Sequence, residues 1–134
     1  NPASVRPWQH VLSPLSGYLA LAERLWEDPG AVGAWNFGPD PADALAVGEV
    51  VARVRERWPG ELHVEADDGP HPPEALTLTL DAGKAREQLG WTPGWDIDAG
   101  LDATVAWHAA VHDGAGARAV TLGQVRDFCA VAVA

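Results

Sequence analysis

Methionine is missing from these 134 residues altogether, Cys129 is the only cysteine and Lys84 the only lysine. A single cysteine excludes an intrachain disulfide, so a reducing cytoplasm is the expected compartment. No apolar run approaches the roughly 18 residues of a membrane span, and no signal-peptide pattern is present, so no membrane partner is expected. Basic charge is also scarce: nine Lys and Arg stand against 19 Asp and Glu, for a formal net charge of −10. A surface that follows nucleic-acid phosphates needs a basic face, so nucleic acid is not an expected partner either. A small anionic ligand is not excluded. Charges are screened over about 8 Å, and a pocket feels its own arginine far more than distant acids.

What is present suits one domain over residues 1–134, with 47% hydrophobic and 21% charged residues. Such a chain can bury about two-thirds of its unfolded surface. Leu15, Tyr18, Leu19, Ala22 and Leu25 recur at helical spacing, Pro14 suits a first turn, and Pro29-Gly30 stops the run. AVGAWNFGPD (31–40) reads as a short apolar strand closed by a Gly-Pro turn, ELHVEA (61–66) as an outer strand, and ALTLTLD (75–81) as a strand with Leu76, Leu78 and Leu80 on one face. Between them Val47, Val50, Val51 and Val54 mark a helix that ends at Trp58-Pro59. AGKAREQLGWTPGW predicts a short helix with a left-handed cap at Gly90, onto which Trp91 folds back, and with Pro93 beyond it. Asp96 caps a longer helix reaching about Asp113, with Ile97, Leu101, Val105 and either Trp107 or His108 inward. Thr121 to Gln124 predict a capping box that opens a last helix carrying Val125, Phe128 and a core-facing Cys129. The fold class is helix-rich α/β, with two or three short strands and no run of βαβ units.

The opening NPASVRPWQHV holds the first candidate site. The Arg6 guanidinium can grip a phosphate through two parallel hydrogen bonds, with Pro7 fixing the backbone and Trp8 walling off water. The alternative is a surface arginine stacked on tryptophan. Asn36, inside AWNFG, needs partners from backbone or ligand if it is buried, or else forms a turn beside Gly38-Pro39. His108 and His112 have zinc-ligand spacing but no third ligand, which leaves one expected to face the core and the other water. Glu65, Asp67, Asp68 and His71 lack the alternation of a calcium loop and read as a solvated acidic segment. No metal and no catalytic residue is assigned on this chain.

NPASVRPWQHVLSPLSGYLALAERL, AWNFGP and LTLDAGKAREQLGWTPGW occur in order along nearly the whole chain. Together they resemble the C-terminal portion of the CDP-glucose 4,6-dehydratases, of the extended short-chain dehydrogenase/reductase group. RPWQHVL with the GYL-LAE helix is the most specific part, whereas WNFG and LGW-P recur among nucleotide-sugar epimerases and dehydratases at large. The resemblance implies a substrate-binding portion whose Rossmann-type N-terminal part, with its glycine-rich turn for NAD and its Tyr-x-x-x-Lys pair, lies outside this sequence. Residues 1–30 are then expected to pack on that part, and the full-length protein to be a homo-oligomer.

The implied reaction turns CDP-glucose into CDP-4-keto-6-deoxyglucose. NAD oxidises carbon 4, water is eliminated across carbons 5 and 6, and the hydride returns to carbon 6. Within that likeness, Arg6 is expected at the pyrophosphate and Asn36 at the nucleotide or phosphate. Trp8 and His10 belong to the same motif and are further substrate-binding candidates. Two positions depart from the family pattern. Pro73 replaces a histidine, a loss that His71 could make good, and Gly83 replaces a serine at the expected N-cap of the short helix, a cheap exchange. Two other readings stay open: a non-catalytic remnant or interaction module, and part of a related NAD-dependent epimerase or dehydratase.

Overall fold

A computed structural model describes all residues except 66–68, 70, 71, 133 and 134. The opening cluster forms a short strand, β1 (Val5–Pro7), followed at once by helix α1 (Leu12–Glu27). After two single 3-10 turns come strand β2 (Ala44–Ala46) and helix α2 (Val47–Arg57). Three more helices complete the chain: α3 (Gly83–Leu89), α4 (Ile97–His112) and α5 (Ala117–Ala132). The helix-rich reading therefore stands, with a sheet smaller than expected.

The strands lie elsewhere than the sequence pattern put them. β1 runs antiparallel to β2, with Arg6 opposite Leu45. On its other side Val5 makes a single parallel bridge to Thr77, donating to Leu76 O at 2.8 Å and accepting from Leu78 N at 3.1 Å. Residues 75–81 thus contribute one bridge rather than a strand, and Leu76, Leu78 and Leu80 are exposed. Residues 32–40 and 61–65 form no strand, and the remainder of the predicted outer strand lies outside the described residues. In 32–40 the apolar run is buried by side-chain packing instead: Phe37 fills the core and Gly38 lies against Leu80.

Two small cores hold the helices. Phe37, Ala82, Ala85 and Trp91 form the first, with Leu21, Trp35 and Leu89 against them. The Gly90 cap takes the predicted left-handed conformation at φ 65°, which turns Trp91 back into this core. There its ring meets Phe37 edge-on at 5.1 Å and its Nε1–H donates to Ser16 Oγ at 3.0 Å. The second core joins α2 and α4 through Val50, Ile97 and Leu101, with Trp8, Leu45 and Val54 packed on it. Outside it, Arg53 and Arg57 on α2 form ion pairs with Asp98 and Asp102 on α4.

Caps follow local chemistry with two corrections. Asp96 accepts from Ala99 N–H at 2.8 Å, as expected of the α4 N-cap. The cap of α3 is Ala82 rather than Gly83, and Asp81 Oδ1 accepts from Gly83 N–H at 2.8 Å. Helix α5 begins a turn before the predicted capping box, at Ala117. Thr121 lies inside it, donating to Ala117 O and accepting from Trp107 Nε1–H. Phe128 is buried against Gly94 and Trp95, whereas Cys129, one residue on, is exposed and not part of a core. His108 and His112 are both exposed, and it is Trp107 that turns inward.

Helix α1 is oriented by its small residues. Ser13 and Gly17 are buried, and the Gly17 backbone lies directly on the Phe37 ring. Of the larger residues of the helical repeat, Leu15 and Leu19 consequently face outward, with Leu19 69% exposed, while the half-exposed Tyr18 ring still meets Phe37 edge-on. Leu15 and Leu19 thus leave apolar surface on the open side of α1.

Candidate functional site

Arg6 owes its position to the sheet. The parallel bridge from Val5 to Thr77 brings Ala75 and Glu74 alongside the next residue of β1. Arg6 Nη1 donates to Val5 O at 2.7 Å, and Nη2 donates to Ala75 O at 3.0 Å and pairs with the Glu74 carboxylate. The arginine side chain is 17% exposed and that of Glu74 59%. This pairing holds the Glu74 carboxyl below its ordinary range, because hydrogen bonding and the positive charge of Arg6 both favour the anion. The sequence offered no sign of Glu74 as the partner; 68 residues separate the two, and only the parallel bridge joins them. The alternative, Arg6 stacked on Trp8, is not among the observed aromatic and cation–π contacts of the described residues.

Trp8 points to the other side. Its ring packs on the Val50–Ile97–Leu101 core and its Nε1–H donates to Leu45 O at 2.9 Å, tying the end of β1 to β2. Gln9 follows it with Nε2–H donating to Phe37 O at 2.8 Å. His10 is half-buried, stacked obliquely on Trp95 with ring centroids 4.9 Å apart, and closely approached by Gly100 of α4. Its Nδ1 accepts from Leu12 N–H at 3.3 Å, which places the proton of the neutral ring on Nε2. Burial lowers its pKa, so the neutral form is favoured. Asn36 is exposed, and its Nδ2–H donates to Asp81 O at 3.2 Å. It therefore links the 32–40 segment to the start of α3 and is not the buried amide that an apolar strand would have made of it.

A cleft of about 380 Å³ lies between the start of α1, α4 and α5, lined by Gln9, His10, Thr104, Trp107 and Gln124 among others. Of the four binding candidates only His10 lines it. A smaller hollow of about 220 Å³ includes Asp40, Asp43, Arg86 and Asp96. Its carboxylates already serve the backbone: Asp40 and Asp96 cap helical turns, and Asp43, raised in pKa by burial, accepts from Ile97 N–H. No group of three metal-ligating side chains occurs among the described residues. Asp67, Asp68 and His71 lie outside the described residues, and with them the acidic-loop reading and the expectation that His71 makes good the histidine replaced by Pro73.

Fold and site thus define a helix-rich α/β scaffold that holds an anchored arginine on its small sheet and leaves apolar side chains exposed on its first helix. No protein-family model matches the sequence. Over 111 residues, 82% of its length, the chain is 44% identical to a curated CDP-glucose 4,6-dehydratase of Salmonella typhimurium. The resemblance seen in the motifs is borne out at that level of identity. The chain spans about a third of that relative, 31% of its length.

Proposed function

We propose that this chain is the substrate-binding part of a CDP-glucose 4,6-dehydratase, working with a nucleotide-binding part of the same enzyme. The observation that carries the proposal is the 44% identity over 82% of the chain to the Salmonella dehydratase. The Arg6 fork is the group suited to the diphosphate bridge of the CDP-sugar. A guanidinium gives a phosphate two parallel, charge-assisted hydrogen bonds, which a lysine cannot. Asn36 is assigned to the same ligand from the neighbouring segment. Trp8 and His10 act as positioning residues: Trp8 pins β1 to β2, and His10 fixes the turn from β1 into α1.

The residues here do not fit NAD. Among the described residues no strand–glycine turn–helix unit exists to cradle a dinucleotide, so the cofactor is assigned to an extended short-chain dehydrogenase part and no step is derived through it. What this chain does in dehydration is bind and orient, holding the nucleotide so that the hexose reaches the redox centre. The outward face of α1, with Leu15 and Leu19, is proposed to pack on that nucleotide-binding part, and the assembled enzyme to be a cytoplasmic homo-oligomer.

The test is a replacement. This chain is substituted for the matching segment of the Salmonella enzyme, and CDP-glucose turnover and NAD binding are both measured. Turnover with NAD binding supports the proposal. NAD binding with neither turnover nor CDP-glucose binding contradicts it, because the nucleotide-binding part is then intact and the replaced part is not competent.

A further inference from the structure

The Arg6 fork is held in two ways that differ in permanence. Two of its five N–H groups are donated to main-chain carbonyls, those of Val5 and Ala75, which the β1 pairing keeps in place. Its third observed partner, Glu74, is a side chain 59% exposed to water. A main-chain acceptor moves only with its backbone, whereas a carboxylate on a flexible exposed stem can rotate away at the loss of one surface ion pair. An arginine whose Nη2 also reaches an acidic side chain beyond its main-chain acceptors is set up for an anion, and Glu74 is the anion already there.

We propose that Glu74 is a displaceable internal counter-anion, which occupies the Arg6 fork when no ligand is bound and yields it to the diphosphate of the substrate. The inference rests on the reading of Arg6 as the diphosphate contact and adds an element the likeness does not contain. The two main-chain bonds keep the guanidinium oriented throughout, so binding exchanges one acidic partner for another without rebuilding the site. Glu74 then lowers the affinity of the fork for every anion, and it screens out weak ones. A monodentate carboxylate does not outcompete it, whereas a diphosphate, with more oxygens and more charge, does.

The experiment titrates inorganic pyrophosphate, and separately CDP, into the protein while the side-chain Nε–H resonances of its arginines are followed by NMR. Three forms are compared: parent, Glu74→Gln and Arg6→Ala. Glu74 is exposed and Gln is its neutral isostere, so folding is unaffected, and unchanged amide spectra confirm this. The expected result is that Glu74→Gln is half-saturated at about two- to fivefold lower concentration of either ligand, the range set by losing one exposed competing ion pair. Arg6→Ala is expected to lose the response. If Glu74→Gln matches the parent or binds more weakly while Arg6→Ala still abolishes binding, the counter-anion role is overturned and the Arg6 assignment survives. If Arg6→Ala binds as the parent does, the Arg6 assignment itself falls.

Discussion

Gly17→Ala probes how α1 is seated, and its outcome follows from distances. An added Cβ would lie 2.2 Å from Phe37 Cδ1, 2.6 Å from Cγ and 2.7 Å from Cε1, all inside van der Waals contact. Relief would require the Phe37 ring to move, yet it is 6% exposed and held edge-on between Tyr18 at 5.5 Å and Trp91 at 5.1 Å. Overpacking of a closed core costs about 1–3 kcal/mol, and three contacts to a wedged ring place this case near the top of that range. Against it stands the helix preference of alanine over glycine, about 1 kcal/mol. The balance is a net loss of about 2 kcal/mol. Urea unfolding followed by tryptophan fluorescence measures it directly, since Trp91 lies in the same core. A Gly17→Ala protein as stable as the parent, or more so, would mean that α1 does not rest on Phe37. The outward direction of Leu15 and Leu19 would then lose its basis.

Asp96→Ala removes the side-chain acceptor at the N-terminus of α4 and is expected to lower stability by about 1 kcal/mol, read from the same urea curves. The lowered pKa of His10 has a definite sign. Between that value and 6.5 the unfolded chain binds more protons, so stability is full above 6.5 and falls as acid is added through that window. His10→Asn, which can still accept from Leu12 N–H, should flatten this slope in thermal melts taken between pH 5 and 7. Leu19→Glu, on the open face of α1, should change the stability of the chain by no more than about 0.5 kcal/mol. In the replacement enzyme it should weaken the union with the nucleotide-binding part, measured as faster dissociation of separately expressed halves.

How much the sequence revealed depended on whether a signal was local. Gly90 needs only its own φ and Asp96 only the backbone amides of the next turn, so both caps were legible. The helical repeat through Leu15, Tyr18 and Leu19 identified α1 but not its inward side, which the close approach of Gly17 to the Phe37 ring sets instead. Alternation at Leu76, Leu78 and Leu80 looked like a half-buried strand, yet those side chains are exposed and the backbone makes one bridge. Thr121 to Gln124 matched a capping box, but Trp107 and Ala117 claim the threonine hydroxyl within a helix already under way. Of the candidate site, Arg6 was singled out by its phosphate-fork chemistry together with the family resemblance. Glu74 was not found, because a contact across 68 residues has no local pattern and depended on the Val5–Thr77 bridge.

The most direct measurement of the central claim is the affinity of the replacement enzyme for CDP-glucose with and without the Arg6 fork, by calorimetric titration with NAD affinity measured alongside. A charge-assisted bond to a phosphate contributes about 1.5–3 kcal/mol, so Arg6→Ala is expected to weaken CDP-glucose binding by about 10- to 150-fold and leave NAD affinity unchanged. Equal CDP-glucose affinity in the two forms would contradict the account.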